Sequence, residues 1–136
     1  MNDTIEPAAN VERPKEVTRA IQAISASFAI GGVRAIFDLA QKVSGASFFI
    51  ALLILLLFLG IFLFFLSRVG KGKNWARITL LALLLVGLPL AIPGYILELR
   101  TNLPRGCLSV LIAILQVIGM YLLFTKNSNL WFRRRQ

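Results

Sequence analysis

The chain has 136 residues, of which 57% are hydrophobic and 15% charged, a balance far from that of soluble domains, where about a quarter of residues are charged. The formal net charge of +9 does not point to nucleic acid. The Lys and Arg residues stand at the ends of apolar stretches, where membrane topology and anionic lipid headgroups account for them. With no His and a single Cys, Cys107, the chain lacks the commonest general base and any intramolecular disulfide.

Residues 1–16 are polar and carry Asp3, Glu6, Glu12 and Glu16 with two prolines, the composition of a disordered segment. Pro14 stands just ahead of the first helix, a position that suits its fixed φ. The first span, about 17–37, is the least apolar and is interrupted by Arg34. The acidic residues ahead of it are unlike the basic n-region of a signal peptide, so the span is read as a retained helix. Ala23, Ser27, Gly31 and Ala35 recur every fourth residue. This small-residue stripe lets another helix approach closely, either within the bundle or in a homodimer.

The second span, about 46–67, is nearly all Leu, Ile and Phe around Gly60. It has no polar face and reads as the most lipid-exposed helix. Gly70-Lys71-Gly72-Lys73 is a turn, with Asn74 as the N-cap of the third span and Trp75 as an interfacial anchor. The third span, about 77–97, contains Pro89 and Pro93. Each proline frees a backbone carbonyl, so a kink is expected, with Gln116 and Ser27 at a depth to bond the freed groups.

The fourth span, about 106–125, sets Ser109, Ala113, Gln116 and Met120 on one inward face. Gln116 reads as interhelical hydrogen-bonding glue, and Cys107 as a small packing residue. Residues 126–136 form a basic tail in which Leu130-Trp131-Phe132 precedes Arg133, Arg134 and Arg135. It should rest on anionic headgroups and anchor the last span.

Eleven of the fifteen basic residues fall on one side of a four-span arrangement: Arg13, Lys15, Arg19, Arg68, Lys71, Lys73, Arg77, Lys126 and the three tail arginines. The positive-inside rule then places both termini in the cytoplasm and the 38–45 and 98–105 connections outside. The fold class is an all-α membrane protein, a four-transmembrane-helix bundle that is N-in and C-in. Glu16–Ile21 and Asn74–Thr79 each open an outward-running helix and are weakly alike, as two related hairpins would be.

Ionisable groups inside a span are costly and mark sites. Arg34 and Asp38 are four apart and share a helical face, and Glu98 lies at a depth to meet Arg34. With Arg100 they form a clamp at the outer ends of the helices or the vestibule of a ligand site. Ser25, Ser27 and Ser109 have no recognisable base, and no acidic residues stand at metal-ligand spacing on one helix. No enzyme, metal or cofactor is therefore expected.

In length and span count the chain is similar to small four-span multidrug transporters. It departs from them in having no carboxylate inside its first span. It also resembles an uncharacterised family of small bacterial four-span inner-membrane proteins. The resemblance is carried by Arg13-Pro14-x-x-Val17-Thr18-Arg19-Ala20-Ile21, by Gly72-Lys73-Asn74-Trp75-Ala76-Arg77, and by Leu123-Phe124-Thr125 followed by Trp131-Phe132. It implies that architecture and no activity. The expected function is contact with lipid, or with another membrane protein as an accessory or immunity partner. The alternative is a subunit of an oligomeric transporter or channel for a small solute or ion.

Overall fold

The computed structural model describes residues 12–134. The first eleven residues of the expected polar segment lie outside the described part, and the helix begins at Lys15. Five helices follow in order: α1 (Lys15–Lys42), α2 (Ala46–Gly70), α3 (Asn74–Thr101), α4 (Leu103–Leu123) and α5 (Lys126–Arg134). No strand occurs among the described residues. The first four helices are long and apolar enough to cross a membrane, which makes this a multi-pass membrane protein.

The helices extend beyond the charge-free stretches, because a span ends where its chain can turn. Gly45 and Gly72 lie at φ 66° and 80°, the left-handed region that glycine enters without steric cost, and they turn the chain between α1 and α2 and between α2 and α3. The third connection is a single residue. Asn102 is extended and its side chain accepts a hydrogen bond from the Arg105 N–H at 3.2 Å, while Pro104 fits the first helical turn. A Cβ on Gly106 would sit 2.6 Å from the Leu99 Cα. Only a glycine there lets α3 and α4 fold against each other so tightly, and the expected loop over 98–105 is replaced by helix on both sides of Asn102.

At the start of α3 the N-cap is Lys73 rather than Asn74. The Lys73 N–H bonds the Arg68 carbonyl at 3.1 Å, so the chain turns into the helix one residue earlier. α3 runs unbroken through Pro89 and Pro93.

α1 packs on α2 and α4, and α3 packs on the same two neighbours. The result is a ring of antiparallel helices in chain order. The α1–α4 seam is the most extensive. It is set by Gly119, whose missing side chain admits Ile24 and the Ala20 carbonyl of α1. α3 buries even less of its apolar stretch than α2, which corrects the expectation that the second span is the most exposed. Exposed apolar groups such as Phe49, Leu53, Phe58 and Leu90 carry no penalty against lipid, where packing and hydrogen bonds hold helices together.

The buried core gathers at one end. Val17, Ala20, Leu66, Val69, Ala76 and Leu123 are nearly inaccessible there, together with Trp131 and Phe132. Both ends of the described chain reach this end: Arg13 donates to the Gly70 carbonyl, and Asn127 donates to Glu16 at 3.0 Å. Residues 126–134 are therefore a docked helix and not an extended tail. Trp131, expected as an interfacial anchor, is instead in the core.

Arg77 is the reason. Its guanidinium lies between the rings of Phe124 and Phe132, 4.6 and 4.5 Å from their centroids. It donates to the Leu123 carbonyl at 3.1 Å and to Asn129 Oδ1 at 2.7 Å. By its place in the sequence Arg77 is one of the topology charges between the second and third spans. It is buried and ties α3 to α4 and α5.

Candidate functional site

At the opposite end of the bundle, α1, α3 and α4 meet through polar side chains. Arg34 is the centre, and it stands between Gly31 and Ala35, where α1 has little bulk. A Cβ on Gly31 would lie 4.0 Å from Ile112 of α4, so α4 is near enough for the guanidinium to reach across. Arg34 Nε lies 3.5 Å from Asp38 one turn on. Its Nη2 pairs with Glu98 Oε1 of α3, and its Nη1 donates to Ser109 Oγ of α4. Ser109 in turn donates to the second Glu98 oxygen.

Arg105 completes the group, with Nη1 3.7 Å from Asp38 and Nη2 donating to Gln41 at 3.2 Å. Two arginines thus balance two carboxylates across three helices. Their exposures differ usefully. The Arg34 side chain is 17% accessible, whereas Asp38, Glu98 and Arg105 are at 25%, 33% and 44%. The cation at the centre is enclosed, and the outer charges still face solvent.

Two spaces adjoin the cluster. A polar pocket of about 280 Å³ is bounded by Arg34, Asp38, Glu98, Ser109 and Tyr95. Behind it an apolar cavity of about 790 Å³ runs among all four spans to a floor that includes Ile24, Phe62, Leu80 and Met120. Gly31, Tyr95 and Ile112 line both spaces. The cavity exists because the helices are packed at the α5 end, while α2 and α3 bury none of their residues beyond Phe62 and Leu80 towards the other end.

The structure brings together Arg34, Asp38 and Glu98 of the four charges singled out in the sequence. Arg100 is exposed and outside the group, because a residue two positions from Glu98 points to the other side of α3. Two of the ion pairs, Arg34–Glu98 and Arg105–Asp38, cross between the two hairpins. Sequence reasoning missed Ser109 and Arg105 as members. The signal was the short Glu98–Arg105 interval with its Asn-x-Pro and Gly106, which folds α4 back onto α3.

Of the stripe residues, Ser27 is buried, and Ala23, Gly31 and Ala35 are half-buried on the inward side of α1. Ser27 donates to the Ile24 carbonyl of its own helix at 2.7 Å and not to a carbonyl freed by proline. Gln116 lines the apolar cavity and makes no hydrogen bond among the described residues, because the cavity and not a neighbouring helix lies in front of it. Cys107 is exposed, on the outward side of the closely packed turn.

No group of three His, Cys, Asp or Glu comes together among the described residues. Chemically, the cluster can hold a dipolar or doubly charged polar group against balanced charges, with apolar space behind it. Comparison with known proteins finds no matching family model, no similar curated protein and no similar solved structure.

Proposed function

We propose that this chain is a non-enzymatic protein of the bacterial inner membrane, with both termini cytoplasmic, that binds an apolar or amphiphilic component of the bilayer between its helices. The carrying observation is the cavity of about 790 Å³ with charged groups at one end only. Its size falls in the range of about 300–1,000 Å³ typical of small-molecule sites, and its mainly apolar wall with a few convergent polar groups is their usual construction.

From Ile24 at the floor to Arg34 is ten residues of α1, about 15 Å of helix, so the cavity spans about one leaflet of a hydrocarbon core of about 30 Å.

The test is native mass spectrometry of the full chain extracted in mild detergent, compared with the Gly32→Phe/Gly87→Phe double variant. Both glycines line the cavity, and nothing lies within 4 Å of an added Cβ at either, so the rings enter open space. Retained lipid on the parent and its loss from the variant is the expected result. Equal retention by the two overturns the reading.

A second reading, a subunit of an oligomeric transporter, is favoured by the charged cluster at the mouth of the cavity. It requires that Arg34→Ala, Glu98→Gln or Gln116→Leu change solute or ion flux in proteoliposomes, and unchanged flux counts against it.

A further inference from the structure

The cavity and the polar pocket share walls, and together they have the layout of one lipid molecule in its own leaflet. The depth of about 15 Å from Arg34 to the floor at Ile24 is half of a hydrocarbon core of about 30 Å, the reach of one leaflet's chains. The polar cluster lies where that lipid's headgroup would sit. This inference rests on the binding reading above and names its ligand class.

The charges select among headgroups. The enclosed Arg34 is largely engaged: its Nε faces Asp38, its Nη2 Glu98, and its Nη1 Ser109 and the Arg105 carbonyl. Any anion that approached it would stand beside both carboxylates. Asp38 and Glu98 line the pocket and keep part of their surface in solvent, and the half-exposed Arg105 stands beside it, 3.7 Å from Asp38. A headgroup that meets both carboxylates and the arginine must carry an ammonium and a phosphate together. A purely anionic headgroup would meet Arg105 only by also facing two carboxylates, and like charges in contact are unfavourable.

We propose that the pocket bounded by Arg34, Asp38, Glu98 and Ser109 is the headgroup site of a zwitterionic aminophospholipid whose acyl chains fill the interhelical cavity. The ammonium lies against Asp38 and Glu98, and the phosphate against Arg105. The Tyr95 ring lines both spaces and stands at the junction between headgroup and chain.

The experiment offers the full chain an equimolar mixture of phosphatidylethanolamine and phosphatidylglycerol in detergent and reads the ratio of the two retained species by native mass spectrometry. The parent is expected to retain the ethanolamine lipid preferentially. Glu98→Gln and Asp38→Asn each remove one anionic contact and are expected to shift the ratio toward the glycerol lipid by about tenfold, the usual weight of one charged hydrogen bond. Arg105→Gln should lower retention of both.

Circular dichroism of each variant checks that the helices persist, and Glu98→Asp, which keeps the charge, should keep the preference. Retention without preference, or a ratio unmoved by the carboxylate variants, overturns the headgroup assignment and leaves the cavity reading standing. Equal retention by the parent and the cavity-filled variant overturns both.

Discussion

Arg34 on α1 is held by Glu98 on α3, 64 residues away in the chain, and Ser109 on α4 touches both partners. Three helices that bury little apolar surface against one another at that end are joined there by side chains. A charged pair in a low-dielectric setting is costly to break from one side, because the remaining charge loses its compensation.

Arg34→Met alone and Glu98→Leu alone are each expected to destabilise the bundle by about 2 kcal/mol, below the range for fully buried pairs because both side chains keep some solvent. The double variant should be less destabilised than the sum of the two. Denaturant unfolding followed by circular dichroism in micelles measures the coupling, and strictly additive effects would show that the pair contributes nothing.

Glycine content matters at specific places and not along whole helices. Gly106→Ala puts a methyl 2.6 Å from the Leu99 backbone and should cost about 2 kcal/mol as the α3–α4 turn opens. Gly60→Ala meets nothing within 4 Å and should be neutral or stabilising by up to about 1 kcal/mol. Equal effects at the two positions in unfolding titrations would argue against the tight turn.

Arg77 is expected to control α5. In a Trp75→Phe background Trp131 is the remaining tryptophan, and it is buried. Arg77→Met should release α5, seen as a red shift of Trp131 emission and as faster proteolysis near residue 126. Phe132→Ala should do the same and cost about 3 kcal/mol. Blue, protease-resistant Trp131 in both variants would place the docking energy elsewhere.

The proposed sidedness is open to labelling. In a Cys107→Ser background, Lys42→Cys at the end of α1 should react with a membrane-impermeant maleimide on intact cells. Asn127→Cys on α5 should react only after the membrane is opened. The reverse pattern would invert the topology.

The four spans could be read from residue order because the length of an apolar run is a local property, and about 20 such residues cross a bilayer whatever their neighbours do. The Arg34–Asp38 pairing was legible for the same reason, as it follows from helical periodicity within one element. Glu98 was reachable as a partner only by depth, and Arg100, at almost the same depth, turned out to point away.

What depended on the folded arrangement concerns which faces meet. Arg77 and Arg105 are both basic residues near a helix end, and nothing local separates them. One lies buried between two phenylalanines because α5 folds back against α1 and α4, and the other pairs with Asp38 because a single-residue turn lays α4 along α3. The cavity is still less local, since it is the space left when five helices pack closely at one end of the bundle and three of them are tied by side chains at the other. Hydropathy says how deep each residue lies in the membrane. The rotation of each helix about its axis, set by Gly106 and Gly119 at the seams, says what it touches there.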